Sequence, residues 1–181
     1  MTETLPDLLR PGLDLVFVGI NPANRSARVG HYYKHLRNEF WRWLSASPLV
    51  DRELGPEDDH DLPERYGIGL TDVVKRVETD STKVCRDEQE KARSEFQQRI
   101  VDAAPRVVCF NGAVAFKAVF GQKAWRSRSW GRQNVHLAGA EVWVMPSSSG
   151  TASGAHKYAP GVLEELATAL SRTRRSDASE D

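Results

Sequence analysis

Short apolar runs divide the chain into candidate strands. Residues 15–20 and 106–110 form near-continuous apolar runs, which are typical of strands covered on both faces. Residues 66–74 are interrupted by glycine and predict a short strand and turn. Residues 134–137 and 141–145 flank a segment of small residues, so we expect two strands joined by a tight connection.

Between these runs, apolar residues recur at helical spacing. The helices predicted on this basis are 39–46, 94–103, 113–120 and 160–170. Asn38 is well placed as the N-cap of the first helix, and Pro160 suits the first turn of the last. Strands that alternate with helices predict an α/β fold, a three-layer α/β/α sandwich with a mostly parallel central sheet.

Length and composition favour a single globular unit. The chain has 181 residues, of which 40% are hydrophobic, enough to bury a sizeable core. We expect one domain over residues 1–171, followed by a polar tail at 172–181 that we expect to be disordered. We also expect a monomer.

Localisation can be predicted from three features. No apolar run reaches the roughly 18 residues needed to span a bilayer, and the first residues lack the basic start and apolar core of a signal peptide. Cys85 and Cys109 are too few for a disulfide framework or a cysteine-ligated cluster. We expect both thiols to be reduced and structural, in a cytoplasmic protein without membrane association.

Charge is unevenly distributed, although 25 Lys and Arg residues balance 25 Asp and Glu residues. Acids are absent from 21–38, 103–140 and 142–163, and they crowd into 51–102 and the tail. A fold that brings the acid-free windows together would have a basic face able to hold phosphate. The alternative is that these Arg and Lys residues merely decorate the surface.

Polar loops follow the first and last predicted strands. The first strand pattern ends in the loop Gly19-Ile20-Asn21-Pro22. The last ends in the loop Met145-Pro146-Ser147-Ser148-Ser149-Gly150. Loops at the carboxyl ends of parallel strands lie on one edge, where ligands bind, so we expect a pocket for a small polar molecule. The Asn21 amide is no general base, but its oxygen can orient a water, which suffices for a dissociative transition state. Asn-Pro alone is also a common turn dipeptide.

Four segments carry a family resemblance that covers nearly the whole chain. They are 19–41, with Gly30-His31-Tyr32-Tyr33 and Asn38-Glu39-Phe40-Trp41, then 66–76, Phe110-Asn111-Gly112 and 145–149. Together they resemble the mismatch-specific uracil/thymine DNA glycosylases. The resemblance implies a DNA-repair enzyme that flips mispaired uracil out of double-stranded DNA and hydrolyses its N-glycosidic bond, leaving an abasic site. Thymine and other damaged pyrimidines are further candidate substrates, and no cofactor or metal is implied.

The same resemblance implies roles for individual residues. Asn21 would be catalytic, Tyr33 would stack on the extruded base, and further substrate contacts would come from Ile20, Ser26, Asp72, Asn111 and Ser147. Contacts to DNA would come from Arg28, Lys34, Ser148, Ser149, Gly150 and Thr151. The chain departs from the family at Ala23, where glycine is usual, and at Asp72, where Asn or Lys is usual. Gly150, Thr151 and Ala152 stand where the family has a bulky Arg or Leu that fills the space of the flipped nucleotide, so either intrusion into the duplex is weaker here or another residue makes it.

A carboxylate near the sugar would add general-base help, worth about 100- to 10,000-fold. Asp80 lies in the polar loop 78–82 and is our candidate for this catalytic role, the alternative being a solvated loop residue. Asp72 lies in the apolar stretch 70–74, where we expect a structural or base-contacting role.

Two other functional classes compete with this interpretation. A flavodoxin-like module could use Asn21 and the loop that contains Ser147–Ser149, here called the serine loop, to hold a nucleotide or nucleobase without chemistry. The sequence contains no Gly-x-x-x-x-Gly-Lys-Ser/Thr phosphate loop that would favour nucleotide binding. A deaminase would need a His/Cys zinc set that two distant cysteines do not supply.

Overall fold

A five-stranded sheet forms the centre of the computed structural model, which describes residues 4–22, 24–75, 86–125, 129–150 and 153–177. Its strands are β1 (Leu15–Gly19), β2 (Ile68–Asp72), β3 (Val107–Asn111), β4 (Gly131–Leu137) and β5 (Ala140–Met145). The strand order is β2-β1-β3-β5-β4. All neighbouring pairs are parallel except β4 and β5, so β4 is an antiparallel edge strand.

Helices connect the strands. In the described ranges they are α1 (Asn24–Val29), α2 (Phe40–Ala46), α3 (Leu62–Tyr66), α4 (Arg86–Ala103), α5 (Ala113–Phe120) and α6 (Ala159–Asp177). Short 3₁₀ turns lie at Pro56–Asp61, Gln122–Trp125 and Ser153–Tyr158. The β4–β5 connection is the tight turn predicted at residues 138–140, because only Ala138 and Gly139 separate the two strands.

Both faces of the sheet are covered because successive side chains of a strand point to opposite sides. Leu15 and Phe17 pack in one core cluster with residues of α2, α3 and α6. Val16 and Val18 pack in a second cluster with residues of α4 and α5. All residues of β1 are buried as a result. The predicted sandwich with a mostly parallel sheet is confirmed.

Two helices extend well beyond their predicted bounds. Helix α4 begins at Arg86 rather than residue 94, and α6 continues to Asp177 rather than ending at residue 170. Residues 172–177 of the predicted polar tail thus belong to α6. Extending an existing helix costs little when its residues, such as Arg and Ser here, are tolerated in helices. An apolar stripe therefore marks only the packed part of a helix.

The buried thiol of Cys109 and the lengths of the helices bear on the thiol and membrane predictions. Cys109 is fully buried on β3 and forms no disulfide, and burial raises the pKa of its thiol. Cys85 lies outside the described ranges. None of the helices described here combines the length and the apolar character that a bilayer span requires.

The sheet register brings the polar loops together. Gly19 at the end of β1 pairs with Asp72 at the end of β2, and Asn111 at the end of β3 pairs with Met145 at the end of β5. These strands are parallel neighbours, so the chain leaves each of them at the same edge. The segments after β1, β2, β3 and β5 therefore surround one site.

Candidate active site

A cavity of about 460 Å³ opens at this carboxyl edge. Its lining includes these predicted catalytic and substrate-binding residues: Ile20, Asn21, Ser26, Tyr33, Asp72, Asn111 and Ser147. Asp80, the other predicted catalytic residue, lies outside the described ranges. The fold therefore brings side chains from four separate segments to one cavity, while the roles assigned to them remain predictions.

Hydrogen bonds between Asn111 and Ser148 fix the serine loop. The Asn111 Nδ2 donates to Ser148 Oγ at 2.7 Å, and the Ser148 amide donates to Asn111 Oδ1 at 2.8 Å. Gly112 lies against the same loop with φ 103°, where a Cβ would be only 3.0 Å from Ser147 Cβ. Both the conformation and the close contact require glycine at this position.

The loop after β1 is held by the chain that follows β2. Backbone amides of Val73 and Val74 donate to the carbonyls of Gly19 and Ile20 at 2.9 and 2.8 Å. Asn21 comes next, half-buried at a bend, with its Nδ2 3.5 Å from the Pro22 carbonyl that accepts from it. Its amide is thus carried on a segment anchored to two strands and faces the cavity.

Tyr33 is held in an uncommon conformation beside this loop. Its φ is 56°, in the left-handed region that costs a non-glycine residue free energy. The ring packs on Phe40 with centroids 4.2 Å apart and planes 34° apart. The hydroxyl Oη is buried, and burial raises the pKa of Tyr33, an effect that the Asn111 side chain opposes.

Tyr32, the preceding residue, is a core residue. Its side chain is only 2% exposed, and its hydroxyl donates to the Pro6 carbonyl at 3.0 Å. Trp41 donates from its indole nitrogen to the Tyr32 carbonyl at 2.9 Å. Both tyrosines line the cavity, but Tyr32 is also fixed in the core by these hydrogen bonds.

Asp72 is a carboxyl group buried at the base of the cavity. It is 2% exposed, and its Oδ2 has no hydrogen-bond partner among the described residues. Its Oδ1 lies against Gly19, where a Cβ would come within 2.3 Å of this oxygen and 3.4 Å of Tyr33 Oη. Glycine at position 19 therefore leaves the space that the Asp72 carboxyl and the Tyr33 hydroxyl occupy.

Burial raises the pKa of Asp72 from 3.8 to about 7. Lys75 and Arg99 lower this pKa and Asp7 raises it, but burial outweighs them. Both cations are engaged with Asp7, since Lys75 Nζ lies 3.0 Å from Asp7 Oδ1 and Arg99 Nε lies 3.2 Å from Asp7 Oδ2. Arg99 also donates to the backbone carbonyl of Asp72 at 2.7 Å.

Comparison with known proteins now identifies the family. A model of the uracil DNA glycosylase superfamily matches residues 6–170. This chain belongs to the uracil DNA glycosylase superfamily. Its function at this level is that of a DNA-repair glycosylase. The chain also resembles the solution NMR structure of a candidate uracil DNA glycosylase from Methanosarcina acetivorans, with a TM-score of 0.61 and 23% identity over 91% of this chain and 98% of that one.

Three of the residues predicted to contact DNA in this glycosylase line the cavity: Ser148, Ser149 and Gly150. Arg28 is exposed in the last turn of α1, outside that lining. Lys34 forms an ion pair with Glu57. The acid-free sequence segment 21–38 therefore has an acidic neighbour in the folded protein. Thr151 lies outside the described ranges.

Three residues that sequence analysis did not select also shape the glycosylase site. Gly19 makes room for Asp72, and Arg37 packs its Cβ and carbonyl against Gly150. The His156 ring nitrogen Nε2 lies 3.0 Å from the Ser149 carbonyl. Only Gly19 carried a local signal, because a glycine at the end of a strand often marks a close approach.

His31, Asp59 and His60 form a cluster of potential metal ligands, whose ligand atoms lie within 4.8 Å of one another. Two imidazoles and a carboxylate are a donor set that transition metals accept. The buried Asp59 carboxylate already has partners, since His31 Nδ1 lies 3.0 Å from one oxygen and the Tyr32 amide donates to the other at 2.9 Å. These contacts account for the cluster as a brace for the Tyr32–Tyr33 segment.

We expect Asp72→Asn to stabilise the protein more at high pH than at low pH. The carboxyl has a pKa of about 7 when folded against the ordinary value of 3.8. The folded state therefore binds more protons, and wild-type stability falls as pH rises through this interval. Because asparagine does not titrate, the variant's advantage in free energy of unfolding should grow by about a few kcal/mol between these two pH values and level off above them.

Urea denaturation of both proteins across that pH interval measures this difference. Asn134→Asp, which alters an exposed residue of β4, is a control for carboxylates that titrate near their ordinary pKa. A difference between Asp72→Asn and wild type that does not change with pH would contradict the raised pKa of Asp72.

Proposed function

We propose that this protein removes uracil from mispairs in double-stranded DNA by hydrolysing the N-glycosidic bond and leaving an abasic site. The observation that carries the proposal is the cavity in which the Asn21 loop and the Ser147–Ser149 loop meet. A base inside a duplex cannot reach such a cavity, so the target nucleotide must be rotated out of the stack. Guanine is the opposing base that we propose, on the basis of the resemblance to the mismatch-specific branch.

The chemical step needs a positioned water more than a strong base. As the bond between C1′ and the base nitrogen breaks, its electron pair leaves with the base and the sugar becomes cationic. The Asn21 amide oxygen orients a water toward C1′; the water adds there and releases a proton to solvent, and the departing base anion takes up a proton in its place. Positioning of this kind is effective when the site is preorganised, and the anchoring of the Asn21 loop to β1 and β2 supports it. Asp80 remains our candidate for general-base help.

Tyr33 and Asp72 would recognise the base. The Tyr33 ring offers a face for stacking, which is worth about 1–3 kcal/mol per base. A protonated Asp72 carboxyl offers one donor and one acceptor, the complement of the adjacent N–H and C=O groups of uracil. Thymine presents the same two groups, so this pairing supports thymine as a further substrate.

We expect Asn21→Ala to reduce uracil excision by at least about 100-fold, because removal of one positioning group from a preorganised site costs on that order. Single-turnover assays with labelled duplexes that carry uracil opposite guanine or adenine, and with single strands, measure the loss and the opposing-base preference. DNA binding should change little. The matched control Asn134→Ala alters an exposed amide on β4.

Normal excision by a folded Asn21→Ala protein would remove Asn21 from the mechanism. Absence of excision by wild type would favour the non-catalytic binding module.

We expect wild-type excision to fall relative to Asp72→Asn as pH rises above about 7. The ionised carboxylate loses its donor, whereas the asparagine amide keeps both a donor and an acceptor. The ratio of single-turnover rates, variant over wild type, should therefore increase with pH on a uracil duplex. A ratio that stays constant would mean that the Asp72 proton takes no part in base recognition.

Charge reversal at Arg28 should weaken binding to all duplexes alike. A side chain that contacts one phosphate contributes about 0.9 to the slope of log K against log salt concentration, so Arg28→Glu should reduce that slope by about this amount. Lys123→Glu is the matched control, because Lys123 is exposed beyond the far end of α5 and is absent from the cavity lining. Equal slopes for wild type and both variants would show that Arg28 does not face phosphate.

A further inference from the structure

Leu36 is an apolar side chain held out in solvent. It is 85% exposed, more than any other exposed large hydrophobic residue of the described ranges. It is the second residue of a turn closed by the Asn38 amide, which donates to the His35 carbonyl at 2.9 Å. The Arg37 amide donates to His35 Nδ1 at 3.1 Å and braces the same turn. Leu36 therefore stands at the tip of an ordered turn.

This turn forms part of the rim of the cavity. His35, Arg37 and Asn38, the neighbours of Leu36 in the turn, all line the cavity. The turn is also fixed to the serine loop, because the Glu39 amide donates to the Ser148 carbonyl at 2.9 Å. A Cβ on Gly150 would lie 2.7 Å from Arg37 Cβ, so the two loops are in contact beside the opening.

The serine loop offers only small side chains at this contact. In its described part it contributes Ser147, Ser148, Ser149 and Gly150 to the lining. None of these can fill the volume that a nucleotide leaves in a base stack. Leu36 directly precedes Arg37, which lies against Gly150, and it has the size and apolar character of side chains that proteins insert between base steps.

We propose that Leu36 enters the duplex and occupies the space vacated by the flipped nucleotide. The proposal rests on the proposed excision from double-stranded DNA. The unstacked neighbours of an extruded base expose apolar faces to water, and an inserted leucine covers them and slows return of the base. The turn at residues 35–38 would thus supply the inserted side chain that the serine loop lacks in its described part.

The test compares single-turnover excision by wild type, Leu36→Ala and Leu36→Met on three substrates. They are a duplex with uracil opposite guanine, a single strand, and a duplex with uracil opposite a pyrene nucleotide, whose large ring fills the vacated space. Leu36→Ala should lose about tenfold on the first, because the space in the stack is then left unfilled and the flipped base returns more readily. It should match wild type on the other two, and Leu36→Met should retain most activity. Val101→Ala, exposed on α4 away from the cavity, is the matched control.

Each result has a distinct meaning. Absence of excision by wild type would overturn the proposed function rather than the role of Leu36. A wild-type rate for Leu36→Ala on the guanine mispair would overturn the role of Leu36 while leaving excision intact. Equal losses for Leu36→Ala on all three substrates would also overturn it, because a residue that only fills the duplex is not needed on a single strand or opposite pyrene.

Discussion

The two hydrogen bonds between Asn111 and Ser148 connect the end of β3 to the loop after β5, and much of the cavity wall depends on them. They fix the orientation of the Ser148 backbone, whose carbonyl accepts the amide hydrogen of Glu39 at the start of α2. Helix α2 carries Phe40, on which Tyr33 packs. One amide side chain thus sets the relative positions of the serine loop, the aromatic wall and the opening between them.

The sheet was predictable because its signals are local. A strand covered on both faces reads as an apolar run, as in residues 15–20, and helix α5 shows its apolar spacing between Gly112 and Gly121. The edge of the sheet at which the polar loops meet follows from parallel order alone. The length of α6 was not predictable, because its last turns lack an apolar stripe.

The electrostatics of the site depend on contacts between residues far apart in sequence. Lys34 appeared in a window without acids, yet it pairs with Glu57, and His31 meets Asp59. Asp72 looked like an ordinary short acid in an apolar stretch. Its raised pKa arises from burial, which outweighs the opposing effect of the nearby cations Lys75 and Arg99, both of which are engaged with Asp7. Periodicity and motif spacing contain no information about such pairings.

The left-handed backbone of Tyr33 has a consequence for ligand affinity. Its φ of 56° and the packed Phe40 ring restrict the tyrosine before any base arrives. A tyrosine on a relaxed loop would lose rotamer and backbone freedom on stacking, and that loss would reduce the net gain from the contact. Here folding has already restricted the ring, at the expense of protein stability. The entropy cost of ordering Tyr33 is therefore part of the free energy of folding, and it does not reduce the affinity for the base.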